Sequence, residues 1–493
     1  MRRNILTCLG MLLFICACSS DMEVSGKLEV PVEIFPDYKE VTIPSNIAPM
    51  NFEVIDDAGR NWALKITAGD IGYSLRADGT LFQFGKRFWT GLMEEHAGES
   101  LTFTLCVKDG ADWLEAESFD IHVSEDQIDP YVVYRKIPPG YSLWKDMSIC
   151  QRNLWNFSER QIYRNAQGKG NCVNCHSFRD RDPDDMLFHM RSELAGTYII
   201  RDGQMEKLET KTDSTISSLV YPYWHTSGDY VAFSVNKTNQ VLHMKNPNRI
   251  EVFDEASDVV VYDVDEHKIV TTDFLSSDKA FETFPAFSPD GRSLYYCSAE
   301  AVEPMPEGYR DVRYSLCKVD FNPEDCSFGN VTDTLYNAEV SGKSVSFPRV
   351  SPDGRYLVFA LSGYGTFSIW HKDADLFMAD LSSGVIRPMD ALNSDDVESY
   401  HSWSGNSRWM IFSSRRGDGL YTRPYISHID EDGNSGKPFL MPQKDPKRYY
   451  DAMMFSYNIP EFVSGEVSLG GSEAASFARE GQSAKVIYES ANL

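Results

Sequence analysis

Phe284-Pro-Ala-Phe-Ser-Pro-Asp-Gly-Arg-Ser-Leu-Tyr-Tyr296 and Phe347-Pro-Arg-Val-Ser-Pro-Asp-Gly-Arg-Tyr-Leu-Val-Phe359 are two copies of one pattern. Each reads as strand, tight turn, strand. Pro289 and Pro352 preset φ for the turn, and Asp-Gly closes it. Weaker copies run from Tyr221 to Phe233 and from Tyr400 to Phe412. The aligned positions Gly228, Gly291, Gly354 and Ser407 are separated by 63, 63 and 53 residues. A second strand pair fills each interval, as in Val259-Val-Val-Tyr-Asp-Val-Asp and Asp375-Leu-Phe-Met-Ala-Asp-Leu. Four strands per repeat are a propeller blade. Thr197–Gly203 and Ala452–Tyr457 read as two parts of one closing blade, which gives five blades, or six, over residues 196–463.

Working outward, residues 28–125 hold short strands between turn signals, among them Trp62-Ala-Leu-Lys-Ile and Leu101-Thr-Phe-Thr-Leu. They predict a small immunoglobulin-like β-sandwich acting as a spacer. The fold class is therefore mainly β, with a 13% aromatic content that suits strands. Residues 464–493 are rich in Gly, Ser, Ala and Glu, and are expected to be disordered.

Residues 126–195 read differently. Leu143–Arg164 has helical character, and Cys172-Val-Asn-Cys175-His176 is a Cys-x-x-Cys-His run, the attachment sequence of c-type haem. Two thiols three apart can add across two vinyl groups, and His176 can then ligate the iron. The stretch is expected to be a short helical segment around one covalent haem c. The sixth ligand is expected to be His189, with Met147, Met186 and Met190 or an open position as alternatives. The competing reading is a redox or structural Cys-x-x-Cys with an incidental His.

The N-terminus supports export. Arg2 and Arg3 precede an apolar run from Ile5 to Cys16. That run is shorter than the roughly 20 residues that span a bilayer, and suits a signal-peptide core. Residues 1–17 are expected to leave, with 18–27 as a tether. Of ten Cys, five lie outside the leader, the lipidation position and the haem motif, so they cannot all pair with one another. Cys297 and Cys317 fall on successive expected strands. The net charge of −26 argues against nucleic acid and anionic lipid as partners.

His225, His371 and His401 recur at similar places in the repeats, and Arg415, Arg416 and Arg423 form a basic cluster on an acidic chain. They read either as an anion or substrate pocket at the propeller mouth or as hydrogen bonding between blades.

The Phe-x-x-Ser-Pro-Asp-Gly-Arg-x-Leu pattern resembles the TolB-like propeller repeats. Ile15-Cys-Ala-Cys18 resembles the bacterial lipobox, which implies that Cys18 is lipidated. With Tyr457-Asn-Ile-Pro-Glu-Phe462 and the Cys-x-x-Cys-His segment, the chain looks like TolB-like lipoproteins of Bacteroides-type bacteria. The resemblance implies a lipid-anchored protein of the cell envelope, on the outer membrane, with an envelope protein or redox partner. Three functions are then expected to compete. They are electron transfer by a haem-bearing propeller, a haem-free interaction scaffold, and a haem-dependent oxidoreductase acting at the propeller face.

Overall fold

The computed structural model describes residues 23–28, 31–56, 58–139, 145–168 and 171–490, and the chain is mainly β. The expected leader and the anchor Cys18 lie outside the described residues. No described helix is long and apolar enough to cross a membrane.

Six sheets occupy the region from Tyr131 onward. Sheets II to VI start with Val173–Phe178, Leu219–Trp224, Ala280–Phe287, Ser344–Val350 and Glu398–Trp403, and each runs outward through consecutive antiparallel strands. Sheet I is built from Tyr131–Ile137, Ser148–Asn153 and Glu159–Arg164, and its inner strand is Ser456–Val463 from near the other end of the chain. The six inner strands pack against one another in a closed ring.

The Ser-Pro-Asp-Gly turns fold through local chemistry. Ser288 Oγ donates to the Asp290 carboxylate at 2.5 Å, and that carboxylate accepts the Arg292 N–H at 3.0 Å. Ser351, Asp353 and Arg355 repeat this at 2.6 and 3.1 Å. Gly291 sits at φ +70°, and a Cβ there would lie 2.0 Å from His225 Nε2, so both conformation and contact require glycine.

Several expectations are corrected here. The 126–195 stretch is not a helical haem segment. It supplies the outer strands of sheet I and the first two strands of sheet II. The reason is tertiary: the inner strand Ser456–Val463 leaves an unpaired edge, which Tyr131–Ile137 fills. Thr197–Gly203 therefore belongs to sheet II, whose third strand is Gly196–Arg201, and does not help close the ring.

The 464–490 tail is ordered. Gly471–Glu480 is a helix whose Ala474, Ala475 and Ala478 lie in the core beside Ile162 and Tyr163. Small side chains let it approach the sheet closely. Ser483–Lys485 and Ile487–Ser490 then add parallel edge strands to sheets II and III.

Residues 23–125 form a six-stranded and a three-stranded sheet. The smaller sheet joins Ile34–Phe35, Phe52–Val54 and Leu81–Phe82, and the larger one runs from Val41–Pro44, parallel to the last strand Asp112–Ser124, through Ser100–Asp109 and Trp62–Ala68 to Ile71–Arg76, a strand order compatible with the expected two-sheet sandwich. The unit is packed against the ring and not held apart from it as a spacer. Its core is continuous with Trp409, Ile411, Ile426 and Phe439 of sheet VI. At the seam the Asp126 carboxylate bonds His428 Nε2 at 2.8 Å, and its carbonyl accepts the Trp409 indole N–H at 3.2 Å.

Candidate ligand-binding cavity

Each of the six inner strands carries one extra residue relative to the strand beside it. Within each bulge one residue is left-handed: Cys175, Tyr221, Phe284, Phe347, Tyr400 and Ile459, with φ between +49° and +53°. A non-glycine residue there costs on the order of 1 kcal/mol. The bulge re-aims the side chain. Ring centroids lie 4.0 Å apart for Phe284–Phe347, 4.7 Å for Tyr221–Phe284 and 4.8 Å for Phe347–Tyr400. Such pairs contribute about 0.5–1.5 kcal/mol each, which offsets the strain. The result is an aromatic cluster at the ring's centre.

Two residues further along each strand stand Ser177, Tyr223, Ala286, Arg349, Ser402 and Glu461. All but Ala286 line a cavity of about 490 Å³, together with Tyr221, Phe347 and Tyr400 of the aromatic cluster. The Arg349 guanidinium lies over the Tyr223 ring, 5.1 Å from its centroid, and Nη1 donates to the Pro348 carbonyl at 2.8 Å. Burial lowers the Arg349 pKa. Burial pushes the Glu461 carboxyl up to about 7, against the opposing pull of the Phe178 N–H bond (3.0 Å), Arg349 and Arg181. Trp224 lines the same cavity with its indole N–H buried and unpartnered.

The expected haem residues do not surround one space. Cys175 and His176 reach this cavity, but Cys172 and His189 do not line it. Cys172 Sγ instead lies 3.9 Å from Met147 Sδ. His189 pairs across the ladder with Thr197, and its Nδ1 lies 3.4 Å from Thr197 Oγ1, on the side facing sheet III. His176 lies on the other side, where the carbonyls of Val133 and Ile459 of sheet I face its ring. Two imidazoles on opposite faces of one sheet cannot bracket one porphyrin. Met186 and Met190 are packed in the core between sheets I and II. The residues present do not fit a six-coordinate haem. Burial holds both imidazoles neutral, with His176 down at about 3 and His189 at about 4, and raises the Cys175 thiol.

The other candidates sit apart. His225 Nε2 meets the Gly291 carbonyl at 3.1 Å, and His401 Nε2 meets the Val358 carbonyl at 2.9 Å, each joining adjacent sheets. His371 Nε2 pairs with Glu251 at 3.0 Å. Arg415 stacks 3.7 Å over Trp370, Arg416 pairs with Glu398 at 2.8 Å, and Arg423 donates to the Phe455 and Met453 carbonyls at 2.7 Å. Of these six, only His401 lines the cavity. Cys297 and Cys317 are free, because Cys297 registers with Leu316 and Cys317 with Tyr296, on opposite faces.

Sequence reasoning missed Tyr223, Arg349 and Glu461. Their signal lies inside the repeat: in Tyr221-Pro-Tyr-Trp, Phe284-Pro-Ala-Phe and Phe347-Pro-Arg-Val the third position changes chemistry while its neighbours stay alike.

No protein-family model and no curated protein matches the chain. Similar solved structures include a DUF4784 family protein from Bacteroides caccae, at 7% identity and a TM-score of 0.34, covering 87% of this chain and 99% of that one. Prolyl oligopeptidase B from Galerina marginata is similar at 9% identity and a TM-score of 0.36, over 69% of this chain and 42% of that one. Dipeptidyl peptidase 4 from Porphyromonas gingivalis is similar at 11% identity and a TM-score of 0.32, over 62% of this chain and 46% of that one. This chain thus spans less than half of either peptidase. None of these is a TolB-like protein, so the TolB-like resemblance is corrected, and with it the haem-bearing lipoprotein family it implied. At these scores the neighbours bring no activity to this chain.

Proposed function

We propose that the chain is a six-bladed β-propeller that binds a small organic molecule in its central cavity, and that it works without haem. Export to the cell envelope, read from the leader, belongs to the same proposal. One observation carries it: five strands of separate sequence origin direct five side chains of four kinds, Ser177, Tyr223, Arg349, Ser402 and Glu461, onto one cavity. The cavity is of the size that small ligands fill, about 300–1,000 Å³. A lining that combines aromatic rings with charged groups, Arg181, Arg349 and Glu461 among them, suits an organic ligand with a polar end.

The test is ligand-induced thermal stabilisation, since a compound that binds only the folded state raises the melting temperature. A screen of small organic acids, amines and amides is expected to yield stabilisers. Ser402→Trp, which fills the cavity from one wall, should abolish their effect. Stabilisers that act equally on Ser402→Trp would place binding elsewhere and end this reading.

A further inference from the structure

We propose that the cavity's ligand is a small organic monocarboxylate, held by its carboxylate on Arg349 with its apolar body against Tyr221, Phe347 and Tyr400. The inference rests on the cavity being a binding site, and adds the chemical class.

The charges in the cavity decide the class. Two cations line it, Arg181 and Arg349. Arg181 is ion-paired with Asp180, and Asp129 lies close enough for the two to interact. Arg349 makes no ion pair within 4.0 Å with any described residue, although the Glu461 carboxyl attracts it across the cavity. Its guanidinium carries five N–H donors, and the neighbouring Pro348 carbonyl takes one of them. The Tyr223 face fixes its plane. A planar donor fork of this kind matches a carboxylate with two parallel hydrogen bonds. Trp224, whose indole N–H is unpartnered, lines the same cavity.

The rest of the lining limits the ligand further. Glu461 shares the cavity, so a dianion would face a carboxylate without a second free cation to offset it. A cationic ligand would meet Arg349 directly. A neutral one would cover the guanidinium without pairing its charge, which is costly. With the Glu461 carboxyl protonated, one negative charge is what this site lacks. The rings of Tyr221, Phe347 and Tyr400 accept the remaining body.

Calorimetry with benzoate, benzamide and benzylamine tests the class with three bodies of one size. Benzoate is expected to bind about tenfold or more tighter than benzamide, and benzylamine most weakly. Arg349→Met should remove the preference for benzoate while keeping benzamide binding, which also reports an intact cavity. If Arg349→Met does not fold, Glu461→Gln gives the second reading: benzoate should bind more tightly than to the parent at pH 8. Equal affinity for benzoate and benzamide in the parent would overturn the carboxylate assignment and leave the cavity as a binding site. An unchanged benzoate affinity in Glu461→Gln would also count against the assignment. No binding of any of the three, with no stabiliser from the wider screen, would overturn both readings.

Discussion

His176 and His401 occupy the same position in two different sheets, each directly after the left-handed residue of its inner strand. His401 Nε2 reaches the Val358 carbonyl of the preceding sheet at 2.9 Å. His176 faces the corresponding carbonyls, Val133 and Ile459, but neither ring nitrogen completes a hydrogen bond. Asn174-Cys-His-Ser-Phe178 thus stands where Ser399-Tyr-His-Ser-Trp403 stands. The Cys-x-x-Cys-His run is the inner strand of sheet II, with Cys175 at the place held elsewhere by an aromatic or Ile.

This equivalence predicts unequal costs. His401→Ala removes a bond between sheets and leaves a buried carbonyl unmet, a loss of about 1–3 kcal/mol. His176→Ala breaks no completed bond and should cost less. Urea unfolding of the two variants, with slopes compared, checks the order.

Glu461 predicts a pH-dependent affinity. Arg349, Arg181, the Phe178 N–H and the Tyr223 ring surround its carboxyl, and burial holds it near a pKa of about 7. Below that pH it is neutral and stops repelling a bound carboxylate. Benzoate affinity should therefore rise as pH falls from 8 to 6, by about three- to tenfold. Glu461→Gln should flatten the profile in calorimetric titrations at several pH values.

Glu282 predicts a stability effect of its own. It is 1% exposed, and burial raises its pKa from 4.5 to about 8. The folded state then holds a proton that the unfolded chain releases near 4.5. That contribution is fully present below about 4.5 and is lost as pH rises through about 8. Melting temperature should fall between pH 5 and 9, and Glu282→Gln should weaken the dependence. A parallel fall in parent and variant would assign it to other raised acids, among them Glu461 near 7 and Asp254, Asp258 and Asp375 near 6.

The long hairpin of sheet III, Tyr230–Leu242 with Ile250–Asp263, is latched to sheet V. Glu251 bonds His371 Nε2 at 3.0 Å and accepts the Tyr364 hydroxyl at 2.5 Å, and both Glu251 and His371 are buried. Glu251→Ala leaves both partners unmet, and each buried group without its hydrogen bond costs about 1–3 kcal/mol. Hydrogen exchange should speed up in residues 236–256 before the ring opens. Uniform acceleration across all six sheets would show that the latch supports the whole ring.

Much of the architecture is legible because it is written locally. Ser288, Asp290 and Gly291 make their turn with their own side chains and backbone, so the repeated Ser-Pro-Asp-Gly announces strand pairs in the sequence alone. The short apolar runs Val259–Tyr262 and Leu376–Ala379, each bounded by Asp, announce the second pair in the same way. The closing sheet was not legible, since its inner strand comes from residues 456–463 and its other strands from 131–164. No local signal links them.

The sequence by itself determined a mainly β chain of repeating strand pairs, through turn chemistry and hydrophobic period, which act over a few residues. Only the tertiary structure decided which residues meet. Tyr223, Arg349 and Glu461 share a cavity because ring closure brings sheets III, V and I to one axis and the bulges re-aim their inner strands. The same ring placed Cys175 and His176 at its centre and His189 on the far side of their own sheet, because strand pairing, not spacing along the chain, sets which face a side chain takes.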